Sequence, residues 1–286
     1  MNDLLRLKQD YLQITIPENL DQTLQKVIYG KQQRFKKSKI AAGISLTLIL
    51  GLNALPAVAE GLREIPGLRT IVDVLTLNRF TASSADGQIT LDISVPTIEG
   101  AGEIGEVLNK KYLSLAEAEY QRFIENLPSA EDDVSWHEAV IGDYEILWQD
   151  EKIVVIKNWM AYIAGSGYEV VNYDVVDIEK QLILNLPALF KDDSYIKIIS
   201  EEVLRQMREQ MQELNGNFYW IDPADAPFGE VFSEIDPNQS FYINSDRKLV
   251  IAFGEYEVAP GYVGTPEFVI DQALLKEILV SDRYLK

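Results

Sequence analysis

Residues 40–59 read IAAGISLTLILGLNALPAVA, and this stretch sets the architecture of the whole chain. It carries no charge, and Ser45, Thr47 and Asn53 are its only polar side chains. At a rise of about 1.5 Å per residue, a helix of this length covers roughly 30 Å, the thickness of a bilayer's hydrocarbon core. A buried core helix would show a polar face, and this segment has none. Lys31, Arg34, Lys36, Lys37 and Lys39 precede it. Basic flanks stay in the cytoplasm, which places residues 1–39 inside and residues 60–286 outside. The segment closes on Ala57-Val58-Ala59 ahead of Glu60. Small residues at −3 and −1 are the pattern that signal peptidase cuts. The 39 residues before the span are patterned, unlike the short basic start of an export signal. The reading is a single-pass signal anchor in the cell membrane.

Charge is partitioned across that span. Residues 1–39 hold eight basic and four acidic side chains, a net of +4, whereas residues 60–286 carry a net of −23. So acidic an exterior repels nucleic acid and attracts basic partners. There is no cysteine, so the exported part folds without disulfides. Its size permits a substantial core.

The cytoplasmic tail reads as two short helices on either side of Pro17. Leu4, Leu7 and Tyr11 mark the first; Leu20, Leu24, Val27 and Ile28 form a single apolar stripe ending at Gly30 in the second. A tail this short builds no core of its own, so the stripe needs a partner. Acids and Gln flank it, in place of the Lys and Arg of a lipid-bound face.

Outside the membrane, Leu62, Ile65, Leu68, Ile71, Val72 and Leu75 make an apolar stripe interrupted at Pro66-Gly67. Residues 83–87 (SSADG) read as a turn, and 88–95 as an alternating strand. A long helix follows over 103–126, with Val107, Tyr112, Leu115, Tyr120, Phe123 and Ile124 as its expected buried side. Strand patterns occupy 135–149, 152–163, 168–178 and 179–186, and a helix pattern 194–213. Short strands at 241–243, 249–253 and 267–270 precede a terminal helix. The expected fold is α+β: antiparallel sheets with two or three packed helices, following one transmembrane helix and a short helical tail. The expected segments are a cytoplasmic tail (1–39), the transmembrane anchor (40–59), a juxtamembrane amphipathic segment (60–83) and one sensor domain in two halves (84–180 and 181–286).

Little here suggests catalysis. His137 is the single histidine and lies beside Trp136 in an apparent strand. The acid pairs Asp132-Asp133, Asp192-Asp193 and Glu201-Glu202 read as solvated faces, although paired carboxylates also serve glycoside hydrolysis. No phosphate-cradling glycine loop and no basic aromatic groove occurs, so no cofactor, metal or nucleic acid is expected. The distinctive surface element is EYEVAPGYVGTPEF at 255–268. Pro260, Gly261, Gly264 and Pro266 restrict or shape its backbone, and Tyr256 and Tyr262 offer amphipathic rings. Rigid aromatic loops anchor interfaces because little entropy is lost on docking.

Four stretches together resemble the anti-sigma factors of the lysozyme-sensing, sigma-V type. They are ITIPENLDQTLQKVI (14–28), NALPAVAEGLREIPGLRTIVDVL (53–75), LNKKY (108–112) and FYINSDRKLVIAFGEYEVAPGYVGTPEF (241–268). The resemblance implies a tail that holds an extracytoplasmic-function sigma factor inactive through Leu20, Leu24, Val27 and Ile28. It implies an outer domain that binds lysozyme, a basic protein, through Pro260, Gly261 and Tyr262, with Ser166 as a further contact. Signal peptidase then cuts after Ala59, and an intramembrane protease frees the sigma factor. The competing expectation is an exported lysozyme inhibitor whose signal segment is removed at once.

Overall fold

The structure, a computed structural model, describes residues 73–286 apart from 85, 129–135, 214–215, 225 and 227–230. The membrane span, the cleavage motif and the tail stripe therefore lie outside the described residues. Among the described residues no helix is long and apolar enough to cross a membrane.

The chain order is β1 (Asp73–Ser83), β2 (Ile89–Glu99), α1 (Glu103–Asn126), β3 (Glu138–Gln149), β4 (Ile153–Ala164), β5 (Ser166–Asp177) and β6 (Leu182–Leu184). A 3-10 turn at Pro187–Leu189 leads into α2 (Ser194–Gln212), followed by β7 (Phe241–Ile243), β8 (Leu249–Ala252), β9 (Glu267–Val269) and α3 (Gln272–Leu275). Strands β1 to β6 form one sheet in sequence order, and β7 to β9 form a second. The α+β class holds, with one correction. β2 and β3 run parallel, which makes the large sheet mixed where antiparallel sheets were expected. The reason is the connection between them: it contains the whole of α1, long enough to return the chain to the same end of the sheet.

The folded part also begins earlier than residue 84. Residues 73–83, expected in the juxtamembrane segment, are strand β1 and pair antiparallel with β2 from Asp73↔Glu99 to Ser83↔Thr90. The strand pattern at 179–186 shrinks to Leu182–Leu184, because Gln181 takes a left-handed φ of 56°. His137 lies just before β3 and is exposed.

Alternation in β2 is regular at its start: Ile89, Leu91, Ile93 and Val95 are buried, and Thr90, Asp92 and Ser94 are half-buried. The inner halves of β4 and β5 behave differently. Residues 153–156 and 174–177 are buried throughout, which is what a strand covered on both faces shows. Val154, Ile156 and Val176 face the core under α1. Ile153, Val155 and Val175 join Ile199, Val203 and Met207 of α2 and the second sheet's Ile243, Ile251 and Phe268. One sheet thus serves two cores, so the two expected halves share their central strands. Each such side chain contributes about 1.5–3 kcal/mol by leaving water.

Helix α1 buries Ile104, Leu108, Tyr112, Ala116 and Phe123. Val107, Leu115 and Ile124, expected inside, are exposed. The sequence offers two neighbouring apolar stripes, and the sheet takes the one bearing small residues. Gly105 shows why: a Cβ there would lie 3.2 Å from Ala101 Cβ and 3.3 Å from the Ile98 carbonyl. The helix starts at Gly102, with a left-handed φ of 66°. Gln181 reaches across to it, accepting from the Ile104 N–H at 3.1 Å and donating to the Ala101 carbonyl at 2.8 Å. A Cβ on Gly102 would sit 2.7 Å from the Gln181 oxygen, so glycine is required.

The chain end is tied back to the large sheet. Arg283 donates to Asp177 at 2.9 Å and to Glu179 at 2.6 Å, and the Tyr284 hydroxyl donates to Asp177 at 2.8 Å. Burial pushes the fully buried Asp177 carboxyl up, but the bonds from Arg283, the Lys180 N–H and Tyr284 outweigh it and hold it below the usual range.

Candidate functional site: the 253–268 loop and the β4–β5 hairpin

The loop between β8 and β9 is closed at its base by the Phe253 N–H, which donates to the Pro266 carbonyl at 2.9 Å. Its first turn is built on Glu257. That carboxylate accepts from the Gly254 N–H at 2.6 Å and from the Gln239 amide at 3.1 Å. Gln239 is itself buried and donates to the Ala252 carbonyl at 2.9 Å. Val258 and Ala259 then plug into the core, and the Val258 carbonyl accepts from the Trp220 N–H at 2.9 Å.

From that anchored point Pro260 opens a 3-10 turn over Gly261–Val263. The Val263 N–H donates to the Pro260 carbonyl at 2.9 Å, and Gly264 ends the turn at a φ of 76°. Tyr262 projects from the turn and is 74% exposed, more than any other large hydrophobic side chain among the described residues. Tyr256, itself at a left-handed φ of 64°, lays its ring against Gly261 so closely that a Cβ there would overlap it. The glycine is therefore a seat for a ring.

Ser166 is the first residue of β5, next to Gly165 at the hairpin tip, and is exposed. Below it Tyr162 and Tyr168 stack at 4.9 Å. Two connections tie this hairpin to the loop. The Glu169 N–H donates to the Glu255 carboxylate at 2.8 Å. Glu267 at the loop's far end accepts from the Tyr173 hydroxyl at 2.6 Å and the Tyr242 hydroxyl at 2.8 Å, while the two rings stack at 4.7 Å. Burial, and then Glu267, push both phenols well up, so they remain donors throughout the physiological range.

The structure thus seats Pro260, Gly261 and Tyr262 on one rigid turn and ties the Ser166 hairpin to the same loop. No hydrogen bond, ion pair or ring contact joins Ser166 directly to that turn among the described residues. Glu169, Glu255 and Glu267 give the surface an acidic character, and Glu169, Tyr173 and Gln239 are supports that the sequence did not reveal. Their signal is purely spatial, since each meets the loop from a distant part of the chain. Of the acid pairs, Asp132-Asp133 lies outside the described residues, Asp192, Asp193 and Glu201 are exposed, and Glu202 is buried where a solvated face was expected. Asp192 accepts from the Ser194 N–H at 2.9 Å, and Glu202 is held by Arg205 at 2.7 Å. No group of side chains suited to a metal occurs among the described residues.

Comparison with known proteins gives the family of the chain. Over 294 aligned residues the chain is 33% identical to the anti-sigma-V factor RsiV of Bacillus subtilis (strain 168), covering 99% of both chains. The chain belongs to the anti-sigma-V factor family. Residues 187–273 match the family model described as a protein of unknown function (DUF3298), which contains α2, the second sheet and the Tyr262 turn. A peptidoglycan-N-acetylmuramic acid deacetylase, PdaC of Bacillus subtilis, is 28% identical over half of this chain but only 29% of its own length. A DUF3298 family protein from Pseudomonas aeruginosa PAO1 shares the fold, with a TM-score of 0.55 at 12% identity over 76% of this chain and 97% of that one.

Proposed function

We propose that this protein is a single-pass membrane anti-sigma factor that senses extracellular lysozyme. The tail at 1–39 holds an extracytoplasmic-function sigma factor through the stripe Leu20, Leu24, Val27 and Ile28. The exported domain takes up lysozyme on Pro260, Gly261 and Tyr262, with Ser166 alongside. Binding exposes Ala57-Val58-Ala59 to signal peptidase, which cuts before Glu60, and an intramembrane protease then cuts the remaining stub.

One observation carries the reading: an almost fully exposed tyrosine on a turn held rigid from beneath, in a chain alike from end to end to an anti-sigma-V factor. A pre-ordered aromatic loses little entropy on docking. The net charge of −23 over residues 60–286 steers a basic protein toward it. Pro56 weakens any helix just before the cleavage motif, since proline lacks the N–H for an intrahelical bond. The end-to-end likeness, tail included, supports a regulator over an exported inhibitor.

N-terminal sequencing of the cell-associated and released protein, with and without added lysozyme, tests the proposal. Chains beginning at Glu60 are expected only after lysozyme is added. The same ends appearing constitutively would instead favour the inhibitor.

A further inference from the structure

The two faces of the large sheet differ beyond its shared centre. β4 and β5 pair without a break from Ile153↔Asp177 to Ala164↔Ser166, so side chains alternate between the faces along both strands. Ile153, Val155 and Val175 point into the core built on α2 and the second sheet. By alternation Trp159, Ala161 and Ile163 of β4 and Val171 of β5 point to that same side, and Ile141 of β3 stands opposite Ala161. None of these five belongs to either core, whereas Met160 and Tyr162, which alternate with them, pack under α1. Ile141 and Ile163 are 39% and 44% exposed, and Trp159, Ala161 and Val171 are half-buried.

An antiparallel face left to water is normally polar. A tryptophan, two isoleucines and a valine in adjacent rows, rimmed by polar groups, are the mark of a surface that another molecule covers. The rim is acidic. Asp92, Asp143, Glu145 and Glu169 share this side against Arg79 and Lys157, and Arg79 is already bound to Asp92. The face also adjoins the Tyr262 loop: Glu169 stands opposite Ala161, and its N–H donates to Glu255 at 2.8 Å.

Three considerations choose the occupant. A stable protein complex buries about 800 Å² on each partner, some 20–30 residues a side, and the Tyr262 turn with Ser166 supplies only a small part of that. A second copy of this chain would set one exterior of net charge −23 against another. A lipid surface is also disfavoured. Ile163 stands opposite Ala139, Ala139 opposite Thr90 and Thr90 opposite Ser83, so the face lies at the end of the sheet away from Asp73, where β1 leads back to the proposed span.

We propose, resting on the reading of the Tyr262 turn as the lysozyme surface, that bound lysozyme also lies across this sheet face and buries Ile141, Trp159 and Ile163. The turn then serves as the anchor, and the bare strands supply the remaining area and the acidic rim that meets a basic partner.

Full-length protein in detergent is titrated calorimetrically with egg-white lysozyme, beside the variants Ile141→Lys, Ile163→Lys, Leu115→Lys and Tyr262→Ala. Ile141→Lys and Ile163→Lys each remove an apolar contact and set an ammonium against a basic protein, so each is expected to weaken binding at least about tenfold. Leu115 is 56% exposed on α1, the helix that covers the other face of the sheet. Leu115→Lys changes the net charge equally but at a distance, and is expected to cost less than about twofold. Ile163→Ala removes the contact without adding charge and should weaken binding about fivefold, which keeps the test open if a lysine disturbs the strand. Melting temperatures close to the parent's confirm folding. If Tyr262→Ala weakens binding while the isoleucine variants match Leu115→Lys, lysozyme does not cover the sheet face and the proposal falls, with the turn left standing as the lysozyme surface. A parent that does not bind lysozyme overturns the reading of the turn and the proposal together.

Discussion

The backbone N–H of Glu169 donates to the side chain of Glu255 at 2.8 Å, joining the hairpin that begins at Ser166 to the loop that carries Tyr262. A hydrogen bond to a charged acceptor contributes about 1.5–3 kcal/mol when sheltered and less in the open. Glu255→Ala should therefore loosen the loop and weaken lysozyme binding by roughly fivefold, about 1 kcal/mol. Glu255→Gln, which keeps an acceptor oxygen, should retain most of the affinity. Calorimetric titration of both variants checks this; an alanine variant that binds like the parent would remove the coupling.

Tyr262 should separate binding from stability. Its ring touches little of the protein, so Tyr262→Ala is expected to change stability by less than about 0.5 kcal/mol. A central aromatic anchor is typically worth about 2 kcal/mol or more, so the same change should weaken lysozyme binding at least about thirtyfold. Melting curves and affinity measured together decide the matter. Unchanged affinity would move the lysozyme surface elsewhere.

Gly261→Ala should act through its neighbour. The added Cβ would lie 2.7 Å from Tyr256 Cε1 and closer still to the hydroxyl end, so the ring must swing away. Tyr256 is half-exposed, and the stability cost should stay near about 1 kcal/mol. Loop order should suffer more, with affinity falling about tenfold. Replacing Tyr256 by Ala in the same chain should relieve the clash and restore stability. If the double variant is no better than Gly261→Ala, the ring is not the cause.

The Asp177–Arg283 pair should set part of the acid limb of stability. Asp177 titrates below the usual carboxylate range in the folded protein. Its contribution is therefore complete above the unfolded value near 3.8 and is lost as pH falls through the lower folded value. Arg283→Ala removes the strongest support of the Asp177 carboxylate and should lower stability near neutrality. It should also move the acid unfolding midpoint to higher pH. Urea titrations across pH 2–7 would show it; parallel stability curves with no shift of the acid limb would exclude the pair.

Much of this fold was legible because its signals are local. Helix α1 was bounded correctly by pattern alone, as were the short strand Phe241–Ile243 and the start of α2. The exposed aromatic turn announced itself through Pro260, Gly261 and Gly264. Other features were hidden because they depend on distant partners. Leu115 and Val107 read as core until the sheet selected the neighbouring stripe. Strand β1 read as an amphipathic segment because its role is to pair with β2, and nothing within 73–83 states that pairing.

The amino-acid sequence by itself determined the charge partition, the absence of disulfides, the α+β class and the position of the Tyr262 turn. These follow from composition, periodicity and backbone restriction within a few residues. The tertiary structure alone decided that β2 and β3 run parallel. It also decided that Gly261 seats Tyr256. Strand direction, ring packing and hydrogen-bond satisfaction depend on what the rest of the chain brings alongside, and a linear pattern does not encode that neighbour.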